Sequence, residues 1–524
     1  MVHAALSPTA HLFSRFDHPL QADGSDTSQE VGLMAFIGQA AFSFAGFFSG
    51  QLMRFLLNLV IARMLGPDAL GMYALALAFL QVTEIVAVMG LDAAMLRYVG
   101  KARGIAERPA VLIASGLKGG MLFSLGLAAL LYSASEPLGR MFGGDELLGV
   151  VIAAYALALP FTVMISLGGH AMQAVGHVEE KVLTGQVLFP LCLVVVTVLF
   201  GLSGNPAGAL LFPMPLAAVT ISVWTAVRVV RITGVGPRAV IAASFHRGMY
   251  RYAVPLMFVG FLGMLGHWLD IILLGAFCTA ADVGSYQPAV RSAGLLRSFL
   301  LAFSGVAAPM FATLYSQNKG AEVAALYGGT TRLLVAAVLP AWALLSVMPK
   351  EVMTLFGAPF VASAPLLVML AAGVLVQAVS GLGDTMLQMS GHARFVALNS
   401  AGALLCQMVL GLLLIPQYGV AGAAAGVVGA YVLAAVLRSI ELKRVIGTAG
   451  LTQQLWKPVA ALLPSVLLVI ALHPFVAGFG AVGGLGVGAV VLCSCYALIL
   501  ALTGFFRDAT AGGLAQQFFM SKNA

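Results

Sequence analysis

Charged residues are scarce in this sequence of 524 residues. Asp, Glu, Lys and Arg make up 9% of the chain, whereas they form about a quarter of a soluble globular protein. Hydrophobic residues reach 60%, and the mean hydropathy is +1.00. This composition excludes a soluble globular protein and predicts an all-α polytopic membrane protein, whose many glycines allow helices to approach closely. The net charge of +7 is better explained by basic loops at one membrane face than by nucleic-acid binding.

Cysteine is also rare, and the sequence lacks a recognisable leader. The five cysteines have neither the spacing of metal ligands nor nearby His and Asp clusters, so buried free thiols are expected. No cofactor and no metal site is predicted. Residues 1–33 are polar and contain no apolar core followed by a cleavage site. We therefore expect no cleavable signal peptide and a disordered cytoplasmic tail.

Long apolar runs recur along the whole chain. Because about 20 apolar residues cross a bilayer, the sequence predicts about fourteen transmembrane helices, which we number as spans. They are expected at 36–62, 69–96, 109–133, 147–174, 183–202, 207–227, 252–277, 283–313, 323–348, 361–389, 395–415, 420–437, 458–476 and 481–505. Nineteen of the 27 Lys and Arg residues then fall on the side of the N-terminus, and three fall in the opposite loops. This asymmetry predicts cytoplasmic N- and C-termini in a bacterial inner membrane.

Short motifs recur about 214 residues apart. Gly71-x-Tyr73 returns as Gly284-x-Tyr286, and Gln173-x-x-Gly176-His177 returns as Gln388-x-x-Gly391-His392. Six spans separate the copies, so the repeat is parallel and predicts two six-helix lobes with two appended C-terminal helices. The predicted divisions are a tail (1–33), a first lobe with spans 1–6 (34–232), a cytoplasmic linker (233–250), a second lobe with spans 7–12 (251–445), spans 13 and 14 (446–507) and a cytoplasmic tail (508–524).

Three motifs carry a family resemblance. They are Arg63-x-Leu65-Gly66-Pro67-x-x-x-Gly71-x-Tyr73 after span 1, Gly90-Leu91-x-x-Ala94-x-x-Arg97-Tyr98 at the end of span 2, and Pro416-x-Tyr418-Gly419-x-x-Gly422-Ala423-Ala424 at the start of span 12. With them, residues 35–445 resemble the polysaccharide biosynthesis (oligosaccharide flippase) family of the multidrug/oligosaccharidyl-lipid/polysaccharide exporter superfamily. The resemblance implies a V-shaped pair of six-helix bundles around a central cavity, alternating access, and undecaprenyl-diphosphate-linked glycans as substrate. The superfamily also contains drug exporters and the lipid II flippase, so the motifs constrain the fold more than the cargo.

Polar side chains inside a bilayer are costly, which makes them candidates for function. The candidate substrate-binding residues are Gln51, Arg54 and Asn58 in span 1, Lys118 in span 3, Arg291 and Arg297 in span 8, and Gln377 and Gln388 in span 10. An arginine stays ionised when it is desolvated and binds phosphate oxygens through two donors, so these bases are expected to meet a diphosphate. Arg291 and Arg297 are about 240° apart around a helix, and one of them is expected to meet a neighbouring helix instead. The alternative for the arginines is a structural ion pair, Arg54 with Glu84 or Arg291 with Asp270.

Intramembrane acids and one histidine form a second group of candidates. Glu84, Asp270, Asp384 and His170 are candidates for ion coupling, because a desolvated carboxylate or an imidazole can carry a proton between two exposures. The alternative is that each of them is a structural, hydrogen-bonded group. Coupling to protons or to sodium is left open.

The residues and the resemblance together predict a flippase. It would move an undecaprenyl-diphosphate-linked oligosaccharide across the inner membrane for O-antigen, exopolysaccharide or capsule assembly, alongside a glycan polymerase and glycosyltransferases of the same pathway. The main alternative is a cation-coupled multidrug or small-molecule exporter on the same fold. A membrane glycan polymerase or ligase is the second alternative, disfavoured because no large periplasmic loop is predicted. The sugar, the coupling ion, the oligomeric state and the role of spans 13 and 14 are left open.

Overall fold

Helices account for every regular element that is described. The computed structural model describes residues 26–102, 109–142, 146–447 and 455–505, with side chains described from residue 45 onward except at 476 and 477. These residues contain thirteen candidate membrane spans. The first of them, Ala45–Ala102, has 58 residues, which is about 87 Å of helix against a hydrocarbon core of about 30 Å. It therefore holds two crossings, and the fourteen predicted spans are all present.

The first helix, α1 (Asp26–Val88), reverses direction at Gly66. Gly66 has φ 84° and ψ −174°, a conformation that favours glycine, and Pro67 follows it as a residue suited to begin a new helix. Arg54 and Tyr73 lie within electrostatic range of each other, although a continuous helix would hold them about 28 Å apart. The two halves of α1 are therefore spans 1 and 2.

The first lobe consists of α1 and eight further helices. These are α2 (Leu91–Ala102), α3 (Pro109–Ser133), α4 (Ser135–Met141), α5 (Glu146–Ala174), α6 (Val178–Val182), α7 (Phe189–Leu202), α8 (Pro206–Leu211) and α9 (Pro213–Thr233), with a π-helical turn, Leu183–Leu188, between α6 and α7. The crossing α9 starts later than predicted for span 6 because Pro213 takes the first helical position, and the apolar residues before it form the separate α8. The start of the first helix also differs from the prediction. α1 begins at Asp26, inside the segment 1–33 that is predicted to be a disordered tail. The sequence Asp26-Thr27-Ser28 is typical of helix starts. Residues 1–25 and 506–524 lie outside the described residues.

A short linker helix, α10 (Pro237–Ala242), leads to the second lobe. That lobe consists of α11 (Arg247–Phe277), α12 (Ala280–Gly294), α13 (Arg297–Ser316), α14 (Gly320–Val347), α15 (Pro349–Phe356), α16 (Ala364–Met389), α17 (Ala393–Tyr418) and α18 (Val420–Ile446). The appended helices are α19 (Trp456–Val476) and α20 (Gly480–Leu502). We call the side of the bundle that carries segment 234–246 the linker face, and the side that carries the Gly66 turn the hairpin face.

The two lobes meet at the hairpin face through a symmetric contact of repeated residues. A Cβ added to Gly71 would lie 1.8 Å from the carbonyl oxygen of Ala280, and one added to Gly284 would lie 1.8 Å from that of Pro67. These four residues form two pairs at the same offset of 213, so each lobe makes the same contact with the other. The parallel repeat in the sequence thus corresponds to a pseudo-two-fold symmetry of the two lobes, whose axis passes between α1 and α12.

The second repeated motif forms matching turns at the linker face. Gly176 and Gly391 both have positive φ, 112° and 80°. His177 donates its backbone N–H to Met172 O, and His392 donates to Leu387 O, at 3.0 and 2.8 Å. The motif therefore ends the fourth span of each lobe in the same way.

At the linker face, α2 and the start of α11 close the seam between the lobes. The Tyr98 hydroxyl donates to Gly248 O at 3.0 Å, and the Arg97 guanidinium lies 4.3 Å from the centre of the Tyr252 ring. A Cβ on Gly90 would lie 2.4 Å from Ala253 O, so the two backbones are in direct contact.

The appended helices α19 and α20 pack on the second lobe. Their apolar residues Ala461, Leu492 and Tyr496 form a small core with Leu339 and Ala343 of α14. His473 also bonds to Glu351 of α15 at 2.8 Å. All five cysteines are free thiols, as predicted, but the prediction that they are buried is wrong, because Cys493 is exposed and the other four are only half-buried. They lie on helix faces that the bundle leaves open.

Candidate functional site

Arg54 is half-buried and lies about 18 Å along α1 from Gly66. Its guanidinium donates to the side-chain oxygen of Gln51 at 3.1 Å and to that of Gln186 at 3.0 Å. Gln186 belongs to the π-helical turn, and Gly50 lets that turn approach α1, since a Cβ there would lie 2.7 Å from Gln186 O. Both acceptors are neutral amides. Among the described side chains, no carboxylate lies within 4.0 Å of this guanidinium, so its charge is not neutralised by an ion pair.

Asn58 lies one turn beyond Arg54 and is 1% exposed. Its amide donates to the backbone oxygen of Arg54 at 2.8 Å. The side-chain oxygen is buried, and no described group donates to it. Gln51, Arg54 and Asn58 thus share one helical face, as their spacing predicts, and one acceptor on this face is unused.

Arg291 occupies the corresponding depth of the second lobe, about 17 Å along α12 from its start. It donates to Gln287 at 3.2 Å, and its guanidinium lies 5.3 Å from the centre of the Trp268 ring. The Trp268 indole donates across the lobe interface to Gln81 of α1 at 3.1 Å. Arg291 is therefore held by an amide and an aromatic ring, where α1, α11 and α12 meet.

The charges of Arg54, Arg291 and Arg297 converge on His267 of α11, which lies within electrostatic range of all three. Arg297 follows the break between α12 and α13, and it donates to the Tyr431 hydroxyl of α18. This break explains how it meets a neighbouring helix, as its angular separation from Arg291 predicts. We call Arg54, Arg291, Arg297 and His267 the arginine cluster.

Asp270 is the acid nearest to the cluster, yet it is not paired with Arg291. One of its oxygens accepts from the Tyr286 hydroxyl at 3.0 Å, and the other is buried without a partner among the described residues. Its charge acts on Arg291 from beyond ion-pair distance. Neither alternative ion pair, Arg54 with Glu84 or Arg291 with Asp270, is formed.

The other ion-coupling candidates lie within single lobes. Asp384 accepts from Arg438 of α18 at 2.6 Å, in a pair that Ser380 joins through a bond of 2.9 Å. His170 bonds to Ser166 O at 2.8 Å and lies 4.0 Å from Asp92. Glu84 lies beside Thr162 of α5 and has no basic group within 4.0 Å among the described residues. The structure therefore separates a paired acid, Asp384, from an unpaired one, Glu84.

Of the three remaining candidates, Lys118 and Gln388 lie toward the linker face, and Gln377 lies in the middle of α16. Lys118 donates to the backbone oxygens of Ile241 and Ala243, both at 2.8 Å, and so holds the linker against α3. Gln388 is exposed at the linker-face end of α16. Gln377 is half-buried, and its side-chain oxygen has no partner among the described residues.

Sequence reasoning missed three partners of these residues. Gln186 is placed by a π-helical turn, whose period differs from that of an α-helix, so helical spacing could not assign it to a face. Arg438 lies one residue beyond the predicted end of span 12 at residue 437, and so in a predicted loop, whereas α18 continues to Ile446. Tyr431 is uncharged, so a search for intramembrane charges does not identify it. The internal repeat could have linked His267 to Arg54, because His267 lies 213 residues after Arg54, the same offset that separates Gly71 from Gly284.

Comparison with known proteins places this fold in a family. The chain belongs to the family described as polysaccharide biosynthesis protein, whose model matches residues 39–315, more than half of the chain. It is also similar to the probable low-salt glycan biosynthesis flippase Agl15 of Haloferax volcanii, with 22% identity over 224 residues, 42% of this chain and 48% of that protein. The chain thus spans about half the length of this curated relative.

Solved structures show the same fold at low sequence identity. A lipid II flippase MurJ in an inward closed conformation superimposes with a TM-score of 0.69 and 13% identity, over 89% of this chain and 99% of that one. An inward-facing multidrug resistance MATE family transporter of the MOP superfamily gives 0.63 and 16%, over 76% and 94%. The protein is accordingly a multi-pass membrane protein with a MurJ- and MATE-like fold.

Proposed function

We propose that this protein is a flippase that moves an undecaprenyl-diphosphate-linked oligosaccharide across the bacterial inner membrane by alternating access. The glycan would serve surface polysaccharide assembly, together with a polymerase and glycosyltransferases of the same pathway. Membership of the polysaccharide biosynthesis protein family and the similarity to a probable glycan biosynthesis flippase support this proposal. The basic linker face would be cytoplasmic, and the termini would lie on that side.

One observation carries the proposal: among the described residues no carboxylate forms an ion pair with the arginines of the arginine cluster, although Asp270 lies within electrostatic range of Arg291. Arg54 and Arg291 are bonded to neutral amides and an aromatic ring rather than to carboxylates. Buried like charges are costly unless they are compensated, and a diphosphate supplies two negative charges with oxygens that suit the guanidinium fork. The cluster is therefore expected to bind the diphosphate while the glycan occupies the space between the lobes.

A reconstituted transport assay tests this role. Vesicles containing the protein and a lipid-linked oligosaccharide are sampled with an impermeant glycosidase, and the rate at which substrate appears outside is measured. Since a hydrogen bond to a charged group contributes about 1.5 to 3 kcal/mol, Arg54→Ala or Arg291→Ala should slow transport roughly 10- to 100-fold. Arg54→Lys should recover part of the rate, because it restores the charge without the bidentate geometry.

Arg140→Ala is the matched control. Arg140 is exposed and pairs with Glu136 one turn away, so its loss should leave the transport rate within about twofold of wild type. Normal transport by both Arg54→Ala and Arg291→Ala would refute the proposal. Each variant is first checked for insertion and for its thermal midpoint, so that slow transport is not confused with misfolding.

A cation-coupled exporter is a second candidate, favoured by one observation. Glu84 lies in the first lobe beside Thr162 without a basic partner among the described residues, and an isolated intramembrane acid is typical of ion-coupled transport. Export of a cationic dye from vesicles that stops when the proton and sodium gradients are collapsed would support this function. Glycan flipping without such export would exclude it in favour of the flippase.

A further inference from the structure

A groove at the linker face lies apart from the arginine cluster. It has a volume of about 800 Å³ and runs between α3 and the first turns of α11. Its walls include Leu122, Phe123, Phe245 and Val254, and its polar end carries Arg247 and Arg251. These four apolar side chains are all exposed, so the groove presents an open apolar surface beside its two arginines.

Two arginines give the groove its charge. Arg247 and Arg251 are four residues apart on α11 and therefore share a face. Both are exposed, and within the described chain neither has a carboxylate within 4.0 Å. Lys118 adds a third positive charge behind the groove, 5.4 Å from the centre of the Phe245 ring. The polar end thus complements an anion, and the walls complement hydrocarbon.

The shape of the groove is held by bonds from α3 to the linker. Lys118 fixes the backbone at Ile241 and Ala243. The Tyr250 hydroxyl donates to Ser115 O at 2.7 Å, and Phe245 packs edge-on against the Tyr250 ring, with centres 5.7 Å apart. The groove is therefore a built feature that needs both lobes, because α3 belongs to the first and α11 to the second.

We propose that this groove binds one anionic phospholipid of the bilayer, with its phosphate between Arg247 and Arg251 and an acyl chain along Leu122, Phe123 and Val254. Basic pockets between membrane helices at the headgroup level are suited to such lipids. In this proposal the bound lipid differs from the transported one. The groove lies apart from the arginine cluster, and beside its wall residue Met89 the backbones of Gly90 and Ala253 are in direct contact.

The bound lipid has a consequence for the conformation of the protein. Since it touches α3 and α11 together, it stabilises the arrangement in which these helices of opposite lobes are adjacent. Anionic lipid would therefore favour the state with a closed linker-face seam. This role is independent of the cargo and goes beyond the proposed function.

Native mass spectrometry of the detergent-solubilised protein tests the site. Phosphatidylglycerol is titrated against phosphatidylcholine of the same chain length, and the retained lipid is counted. Because each basic residue near a surface contributes about fivefold to anionic lipid affinity, Arg247→Gln with Arg251→Gln should weaken phosphatidylglycerol retention about 25-fold. The control pair, Arg231→Gln with Arg238→Gln, removes two exposed arginines of the same face outside the groove and should change retention less than twofold.

Four outcomes would overturn the proposal. One is equal retention of phosphatidylglycerol and phosphatidylcholine by the wild type, and another is an equal loss in the control pair. The third is binding of soluble glycerol phosphate as tight as that of the lipid, since the apolar walls would then contribute nothing. Stronger retention of undecaprenyl phosphate than of phosphatidylglycerol would reject the bilayer lipid in favour of the transported one.

Discussion

The intramembrane arginines Arg54, Arg291 and Arg438 fall into two kinds, which their partners distinguish. Arg54 and Arg291 are oriented by the amides of Gln51, Gln186 and Gln287, which leave the positive charge available to a ligand. Arg438 bonds to the carboxylate of Asp384, which neutralises it. Arg54 and Arg291 therefore differ from Arg438 in the charge of the residues that hold them.

The Asp384–Arg438 pair is predicted to be structural. Its side chains are 28% and 9% exposed, and removing one partner leaves the other charge unpaired, at a cost of about 3 kcal/mol or more. Arg438→Ala should therefore lower the thermal midpoint strongly, whereas the double variant Asp384→Asn with Arg438→Gln should recover most of it. Thermal unfolding in detergent measures both.

The same variants decide whether Asp384 couples an ion. If the pair is structural, the double variant keeps its transport rate and its response to proton and sodium gradients. Loss of that response with an unchanged thermal midpoint would instead return Asp384 to the ion-coupling candidates.

The sequence predicted which side chains share a face of one helix, but not which helix faces them. Residues three or four apart share a helical face, and hydrogen bonds join Gln51 to Arg54 and Gln287 to Arg291. The partners from other helices, Gln186 and Tyr431, were not predicted. Tertiary packing determines these contacts, and the hydropathy pattern contains no information about tertiary packing. Lys118 could likewise be placed within span 3 but not against the linker.

At the scale of elements, the spans were predictable and their breaks were less so. Hydropathy identifies a crossing because the bilayer demands its length. Local breaks depend on a few residues instead, such as Pro213 at the start of α9 or the interruption between α12 and α13. The π-helical turn that places Gln186 is a feature of this kind, and such turns are frequent at functional sites.

The contact between α1 and α12 is predicted to tolerate no side chain at Gly71. A Cβ there would lie 1.8 Å from a backbone oxygen of the other lobe, and backbone cannot move aside as a side chain can. Gly71→Ala should destabilise the protein by about 3 kcal/mol or open the hairpin face. The thermal midpoint and the labelling of cysteines introduced at that face measure the two effects.

Gly126→Ala is the matched control for this prediction. Gly126 lies inside α3, and nothing comes within 4 Å of an added Cβ, so the change should be neutral or stabilise the helix by about 0.5 to 1 kcal/mol. Equal behaviour of the two alanine variants would show that the lobes are not in contact at Gly71 in the membrane.

At the scale of the whole molecule, Arg63 links the lobes at the hairpin face. Its guanidinium donates to Leu355 O at 2.6 Å and to Thr354 O at 3.0 Å, two carbonyls in the last turn of α15. Because Arg63 is exposed and Thr354 O also accepts from Gly357 N–H at 3.1 Å, its contribution to the closed hairpin face should be about 1 kcal/mol. Arg63→Ala should then raise the open fraction about fivefold.

Spin-label distances measure this shift. Ser203→Cys in the first lobe and Tyr418→Cys in the second place two exposed labels at the hairpin face, in a chain whose native cysteines are replaced. Arg140→Ala, which breaks only a pair within α4, should leave the distance distribution as in the wild type. An unchanged distribution in Arg63→Ala would contradict the role of Arg63 as a link.

The symmetric contact of Pro67 and Gly71 with Ala280 and Gly284 has a consequence for the origin of the chain. The same surface lies on both sides of it, as in the isologous interface of a two-fold homodimer. Two copies of a half-length ancestor could have formed this contact before gene duplication and fusion joined them. Each half could then diverge elsewhere, so that one half gained Arg54 and the other gained Arg291. The residues at the axis could change only together, because each of them contacts the equivalent surface of the other half.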